Sequence, residues 1–427
     1  MLARALQATV RQPASGGMSL VTSSTSATYS FTTGGASAVT WYAYQGATLL
    51  DTASGDSPSF DLSGATANVT ITTDPATPAF SDLDFTSDTT LVEVNGADLS
   101  SASGASNDWY GCTSLASFNA TAIGNGSFSD AWRSCTSLTA FNATAIGSGS
   151  FAGAWRNCQS LTTFPALDLS GGTSFDNAWY YCLSLASFNA TAVGSGSFYR
   201  AWKDCPALTT FPALDLSGGT SFVEAWHSCT SLASFNATAI GAGSFYQAWY
   251  GCSPLTTFPA LDLSDGTSFS GTWRNCTSLT AFNATAIGSG SFAGAWRNCQ
   301  SLTTFPALDL SGGTSFDDAW YYCLSLASFN ATAVGSGSFA NAWKECPALT
   351  TFPALDLSGG TNFTDAWSGC LLDQQSTENV LVALDNGGAS SLNTIIGTDG
   401  TSLSTAAAAA KTSLEGKGWT ITIQDNS

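Results

Sequence analysis

The chain has 427 residues, of which 44% are hydrophobic, 12% aromatic and only 10% charged. This composition is too aromatic for a disordered chain and too poor in charge for a long solvated helix or a coiled coil. The 30 acidic residues against 11 basic ones give a net charge of −19, which repels nucleic-acid phosphates and anionic lipid headgroups, so we expect no nucleic-acid binding.

The N-terminal part of the chain precedes any repeat. Residues 1–17 lack the apolar stretch of a secretory signal, and no segment reaches the roughly 18 apolar residues of a membrane-spanning helix, so we expect an N-terminal arm and no membrane insertion. Residues 18–80 alternate Thr, Ser and Val with aromatic residues between Gly, Asp and Ser turns, which predicts a small antiparallel β domain. Residues 81–105 are predicted to lead into the first repeat and to cover its open edge.

An internal repeat dominates residues 106–371. Its cysteines follow one another at intervals of 23 or 24 residues, and each lies three positions after a tryptophan. They are Cys112, Cys135, Cys158, Cys182, Cys205, Cys229, Cys252, Cys276, Cys299, Cys323, Cys346 and Cys370. Residues 136–198 and 277–339 differ only in having Asn177 or Asp318. Such a fixed period predicts a solenoid, because one coil alone cannot bury its apolar side chains and successive coils must stack.

The spacing within one repeat predicts its local structure. Phe175, Ala178, Trp179 and Cys182 fall at i, i+3, i+4 and i+7, which predicts one face of a short helix. The stretch from Leu185 to Phe188 follows, and we expect it to be a short strand with both side chains pointing inward. A Gly-rich segment then turns the chain toward the next coil.

The recurring pattern A-W-x-x-C-x-x-L-x-x-F-P, led by Gly-Ser-Phe, resembles the BspA-like leucine-rich repeats, whose units usually read A-F-x-x-C-x-x-L. The resemblance covers about residues 106–371, with Trp replacing the usual Phe and with 23- and 24-residue units alternating. It implies an α/β repeat solenoid of the leucine-rich-repeat type. Members of the family are mostly adhesins and surface-exposed recognition proteins, and similar repeats occur in phage-encoded proteins, so the resemblance implies attachment rather than catalysis.

The repeat stops after Cys370, and residues 372–427 are predicted to form a C-terminal α/β cap. A short helix is expected from Ser376 to about Gly387, and a second one over residues 403–415. Residues 419–423 then read as a strand. A solenoid needs such atypical ends, because an unpaired terminal coil exposes apolar surface.

One cysteine at the same position of every coil predicts a column of buried free thiols rather than a disulfide framework. Zinc is disfavoured because no CxxC pair is present and the chain has only 1 His. We therefore expect no metal and no cofactor. Free thiols also favour folding in a reducing cytoplasm.

Other polar residues repeat with the coils and are interpreted as structural. His227 follows Trp226 at a position where other coils carry Arg, Lys or Tyr, so we expect a surface residue rather than a catalytic base, and no enzyme. The Asp column in the longer repeats is interpreted as solvated turns rather than a calcium site. It consists of Asp168, Asp215, Asp262, Asp309 and Asp356. The six Asn-Ala-Thr sequons, which begin at Asn119, are interpreted as turns rather than glycan sites.

The position directly after each tryptophan is the candidate binding site, which we call the stripe. It contains Tyr110, Arg133, Arg156, Tyr180, Lys203, His227, Tyr250, Arg274, Arg297, Tyr321 and Lys344. In a regular stack these side chains form one file of cations and phenols on an otherwise acidic protein. Tyr and Arg anchor interfaces and engage carboxylates. The alternative is a solubilising face without a ligand.

These features predict a non-enzymatic surface protein, with a phage virion appendage or decoration protein that attaches to a host surface as the favoured function. Virions assemble in the cytoplasm, which fits free thiols without an export signal. The expected partners are a host-surface glycan or protein, other virion proteins docked through the N-terminal region, and further copies of the chain. The alternatives are a bacterial cell-surface adhesin and a self-assembling extracellular filament subunit.

Overall fold

The computed structural model describes residues 18–34, 39–73, 82–387, 393–398 and 403–425. The predicted arm, residues 1–17, lies outside them. The chain divides into two compact units, residues 1–193 (unit 1) and 194–427 (unit 2). The boundaries predicted at residues 80, 105 and 371 stay predictions.

Unit 1 begins with antiparallel strands, as the alternating pattern predicts. Ser19–Thr22 pairs with Val69–Thr73 on one side and with Leu91–Leu99 on the other. Thr40–Gln45 pairs with Val69–Thr73 and with Thr48–Ser54. The remaining strands of this region are Tyr29–Ser30, Thr32–Gly34, Ser59–Phe60 and Asp82–Asp84. Their buried core includes Phe31, Trp41, Phe60 and Phe85.

The coils begin where Leu91–Leu99 pairs in parallel with Ser117–Ile123. Beyond this point the strands of unit 1 are short and form three parallel ladders. The first ladder contains Ser117–Ile123, Ala140–Phe141, Thr163–Phe164 and Ser187–Phe188. The second contains Asp168–Leu169 and Ala192–Val193, and the third Gly149–Ser150 and Gly172–Ser174.

Unit 2 repeats the same three ladders. The first contains Thr210–Phe211, Ser234–Phe235, Thr257–Phe258, Ala281–Phe282, Thr304–Phe305 and Ser328–Phe329. The second contains Asp215–Leu216, Ala239–Ile240, Asp262–Leu263, Ala286–Ile287, Asp309–Leu310 and Ala333–Val334. The third contains Gly196–Ser197, Gly219–Ser221, Gly243–Ser244, Gly266–Ser268, Gly290–Ser291, Gly313–Ser315, Gly337–Ser338 and Gly360–Asn362. The predicted repeat solenoid is confirmed.

The short helix predicted around Trp179 is wrong, because this segment is a series of turns. The amide of Ala178 donates to the Phe175 carbonyl and that of Cys182 to the Trp179 carbonyl, both three residues back. Asn177 (φ 56°) and Tyr181 (φ 64°) are left-handed and interrupt any helix. The Ala178 carbonyl accepts instead from the amide of Trp155 in the preceding coil, at 2.8 Å. The turn segments therefore hydrogen-bond from coil to coil, as the strands do.

The tryptophans form the centre of the core. In unit 1, consecutive indole rings lie 5.2 to 5.3 Å apart with interplanar angles of 3° to 7°. In unit 2 the distances are 5.0 to 5.8 Å and the angles 1° to 11°. Phenylalanine rings pack edge-to-face against the indoles. The ring centres of Phe141 and Trp132, for example, lie 4.8 Å apart with an interplanar angle of 74°. Offset stacking and edge-to-face contacts are the favourable aromatic arrangements.

The cysteines are free and buried, as predicted. Thiols of both units donate to a main-chain carbonyl of the preceding coil, and Cys346 Sγ also lies 3.9 Å from the Lys344 oxygen of its own coil. Cys158 Sγ lies 3.0 Å from the Trp132 oxygen, and Cys299 Sγ lies 3.1 Å from the Trp273 oxygen. Burial raises the pKa of the Cys158 and Cys182 thiols, that of Cys182 to about 12. A cysteine therefore supplies a small apolar group and a weak donor at one position.

Unit 2 ends in two helices and two strands. The helices are Gln374–Asp385 and Thr405–Gly416, and the strands Asn393–Thr398 and Thr420–Asp425 pair in parallel. The two helices and the strand Thr420–Asp425 agree with the prediction, whereas the strand Asn393–Thr398 was not predicted. Asp373 caps the first helix by accepting from the Ser376 amide at 2.7 Å. Ser376 Oγ accepts from the Phe352 amide at 2.8 Å, so this helix covers the backbone of the coil before it.

Candidate binding surface

All eleven stripe residues are partly exposed, whereas the tryptophan before each is buried. The local backbone explains this alternation. The residues two positions before and two positions after each tryptophan have positive φ, as at Asn177 and Tyr181 around Trp179. Between these left-handed residues the chain turns, so that the indole points into the core and the next side chain lies at the surface.

In unit 1, cations of the stripe lie over tyrosine rings of adjacent coils. The Arg133 guanidinium carbon is 5.4 Å from the Tyr110 ring centre, and that of Arg156 is 5.2 Å from the Tyr180 ring centre. Both distances are within the range of cation–π attraction. A cleft of about 230 Å³ opens here, and it is lined by Arg133, Ser134, Arg156, Asn157, Tyr180 and Tyr181.

The stripe of unit 2 has the same stacking. His227 and Tyr250 are parallel, with ring centres 4.7 Å apart and planes at 4°. Arg274, in the coil after Tyr250, lies over the same tyrosine ring, with its guanidinium carbon 5.7 Å from the Tyr250 ring centre. Arg297 lies 4.7 Å over Tyr321. Within each unit, the structure brings together the side chains that the sequence placed in one file.

Carboxylates beside the stripe neutralise several of its cations. Lys344 Nζ lies 2.9 Å from Asp365 Oδ2, and Arg297 Nη1 lies 2.7 Å from Asp318 Oδ2. The hydrogen bond to Asp365 raises the pKa of Lys344. These acids lie 21 positions after their cations, two positions before the next tryptophan.

Glu224 holds the most buried of these ion pairs, because it accepts from both Arg200 and Lys203. Its side chain is only 11% exposed. Burial alone would raise the pKa of Glu224, but the hydrogen bonds from the two cations outweigh burial and lower that pKa.

Sequence reasoning missed these acids and the exposed Tyr181 and Tyr322. The positive-φ columns carry Gly, Asn and Asp in many coils, and this enrichment is the signal that could have revealed them.

His227 packs within the stripe. Its Nδ1 lies 2.8 Å from Ser228 Oγ, and its ring is stacked on Tyr250. Burial lowers the pKa of His227, and the Lys203 ammonium lowers it further. A neutral ring packed in the stripe fits a surface residue.

The Asp column forms turns, as interpreted from the sequence. Asp168 Oδ1 accepts from the Ser170 amide at 2.8 Å, and Asp309 Oδ1 accepts from the Ser311 amide at 2.8 Å. The Ser170 hydrogen bonds lower the pKa of Asp168. Among the residues that the structure describes, no group of three or more His, Cys, Asp or Glu side chains could hold a metal ion.

The first sequons have a structural contact. The Asn142 amide nitrogen donates to Asn119 Oδ1 at 2.7 Å, and Asn119 donates to Asn95 Oδ1 at 2.6 Å. These side chains form a ladder along the first coils of unit 1. The sequence alone did not indicate this ladder.

No protein-family model and no curated protein matches the chain. Among solved structures, it is similar to a leucine-rich repeat protein from Bacteroides ovatus, with a TM-score of 0.36 and 15% identity over 81% of this chain and 95% of that chain. It is also similar to a leucine-rich cell surface protein from Faecalibacterium prausnitzii, with a TM-score of 0.34 and 18% identity over 63% of this chain and 84% of that chain.

Within the described ranges, no helix is both long and apolar enough to cross a bilayer.

Proposed function

We propose that the chain is a recognition protein that attaches to a host cell surface through the stripe, and that a phage particle carries it as an appendage or decoration protein. The observation that supports attachment is the row of guanidinium groups held on tyrosine rings at a partly exposed surface. Pre-positioned Arg and Tyr side chains lose little entropy when they bind a ligand. Repetition of the contact along the coils adds avidity on a dense cell surface.

The attachment test replaces Tyr180, Tyr321, Arg156 and Arg297 together by Ala and measures binding to host cells. We expect attachment to be lost while the near-ultraviolet circular dichroism of the buried tryptophans is unchanged, because the replaced side chains lie outside the core. Thr162→Ala with Thr303→Ala is the matched control, since both threonines are exposed and occupy equivalent positions of the duplicated segments. Unchanged attachment by the fourfold variant would rule out the stripe.

The carrier of the protein needs a separate experiment. Antibody labelling of purified particles should place the chain on the virion, and labelling of the bacterial envelope instead would favour the cell-surface adhesin. The filament alternative has less support, because the helix Gln374–Asp385 hydrogen-bonds to the coil before it and occupies the surface that a further copy would need.

A further inference from the structure

The cleft lined by Arg133, Arg156, Asn157, Tyr180 and Tyr181 has the chemistry of an acidic-sugar site. Its volume of about 230 Å³ is below the roughly 300–1,000 Å³ of pockets for drug-sized molecules, which suits one sugar residue. All the side chains that line it are cationic, amide, hydroxyl or phenolic. The cleft therefore offers hydrogen-bond donors and aromatic surface to an anion.

Arg156 is the open cation of this cleft. Over the described part of the chain it has no ion pair, and its guanidinium rests on the Tyr180 ring at 5.2 Å. Arg133, by contrast, lies 3.4 Å from Asp130 Oδ2. A guanidinium without an ion-pair partner can bind a carboxylate through two parallel hydrogen bonds.

The duplicated segment supplies an internal comparison. Arg297 is equivalent to Arg156 and lies over Tyr321 in the same manner. The two segments differ only at Asn177 and Asp318, and Asp318 Oδ2 lies 2.7 Å from Arg297 Nη1. In the second copy, the Asp318 carboxylate is therefore already paired with the Arg297 guanidinium, where a ligand carboxylate would bind. Asn177 (φ 56°) and Asp318 (φ 55°) share one backbone conformation, so the difference is one of charge.

The aromatic surface favours a sugar over other carboxylates. Tyr181 is 41% exposed, and its ring lies 6.0 Å from the Tyr180 ring at an angle of 55°. An exposed phenol ring can pack against the apolar face of a pyranose. Ser134 and Asn157 also line the cleft and offer hydrogen-bonding groups to sugar hydroxyls. The net charge of −19 acts over distance and is screened beyond roughly 8 Å at physiological salt, so contacts within the cleft dominate.

We propose that the cleft around Arg156 binds a carboxylated sugar residue of a surface polysaccharide, and that Asp318 blocks the equivalent site at Arg297. This inference rests on the proposed function of the stripe and identifies the class of its ligand.

The test uses the full chain with labelled arginine and follows the guanidinium Hε resonances by NMR during titration with sodium glucuronate. In the native sequence, Arg156 should shift and Arg297 should not. Asn177→Asp should weaken glucuronate binding by at least about tenfold, the effect of losing a hydrogen bond to a charged group. Asp318→Asn should make Arg297 respond like Arg156. Glucose, the neutral control, should shift neither resonance.

Several results would overturn the inference. They are an unchanged affinity in Asn177→Asp, a response of Arg297 in the native sequence, or equal binding of glucose. Glutarate that binds as tightly as glucuronate would show a general carboxylate site and refute the sugar. Asn177→Asp and Asp318→Asn should both fold, because each introduces the residue that the equivalent position of the other segment already has. Failure of cell attachment by the stripe is measured separately, so the two proposals can fail independently.

Discussion

At the scale of single residues, the buried thiol of Cys182 makes the stability of the protein depend on pH in the alkaline range. Burial raises the pKa of Cys182 to about 12, whereas an exposed thiol has a pKa of about 8.5. The folded state therefore holds its proton more tightly than the unfolded state does. The stabilisation is complete below about pH 8.5 and is lost as the pH rises toward the folded value.

We predict that the free energy of unfolding falls steeply between pH 9 and pH 10.5. In Cys182→Ala the slope should be smaller by about 1.4 kcal/mol per pH unit, which is the contribution of one proton. Urea unfolding at a series of pH values measures both slopes. Equal slopes would contradict a raised pKa at this position.

Glu224 makes a matching prediction for acid. The cations Arg200 and Lys203 hold its pKa below the ordinary value, so the stabilisation is present above about pH 4.3 and is lost as the pH falls. Glu224→Gln should lower the free energy of unfolding by about 1–3 kcal/mol at pH 7, since the two cations are only partly buried. At pH 3 the difference should shrink, and an equal loss at both pH values would refute the ion pair as its cause.

At the scale of elements, the tryptophan file can be tested in one coil. Within the described part of the chain, the Trp296 indole nitrogen has no hydrogen-bond acceptor. Trp296→Phe leaves a small cavity and should cost about 1–2 kcal/mol, whereas Trp296→Ala leaves a larger cavity and should cost about 3–5 kcal/mol. Urea unfolding of the two variants gives the comparison. Equal losses would mean that the indole N–H, rather than the ring, stabilises the stack.

The helix Gln374–Asp385 gives a prediction for the C-terminal end of the coils. Ser376→Ala removes the acceptor of the Phe352 amide, so this amide should exchange its hydrogen at least about tenfold faster. Ser404→Ala is the control, because Ser404 caps the second helix through Ala407 and lies in another segment. Hydrogen exchange measured by mass spectrometry separates the two. Unchanged protection at Phe352 would show that the helix does not cover the backbone of this coil.

Prediction of the elements succeeded where periodicity alone was enough. The even spacing of the cysteines and tryptophans required stacked coils, and alternation was sufficient for the N-terminal strands. The segment around Trp179 was predicted to be a helix because its buried side chains recur at intervals of three and four residues. Turns with a positive-φ residue on each side of the tryptophan can bury side chains at the same intervals. The decisive information lay at Asn177 and Tyr181, and a tyrosine rarely signals a left-handed backbone.

The sequence predicted which side chains form the stripe, but it did not predict the acidic residues that pair with its cations. The composition of the stripe could be read from the position after each tryptophan. Its partners, such as Asp318 for Arg297, belong to the next coil, so they become neighbours only after stacking. The one difference between the duplicated segments was visible in the sequence, but its consequence required the position of Arg297.

At the scale of the whole molecule, a pair of repeats should be the unit that can be removed. The Asn236 amide donates to the Phe211 carbonyl at 3.1 Å, and the alternate coils have proline at this position, which lacks the donor. Deletion of residues 230–276 removes one pair of repeats and joins Cys229 to Thr277, which begins a repeat of the same type as the one that follows Cys229 in the native chain. Cooperative unfolding should therefore be preserved. Deletion of residues 230–252 places Pro259 opposite Phe211 and should lower stability. Equal stability of the two deletions would contradict pairing of unlike repeats.

The central claim is that the coils stack in register, so that like side chains form files within each unit. Anomalous X-ray scattering from sulfur measures this most directly. The account predicts unbonded sulfur positions in regular succession, each at hydrogen-bond distance from a main-chain carbonyl of the preceding coil. Sulfur atoms joined in pairs at about 2.05 Å, or scattered without succession, would contradict it.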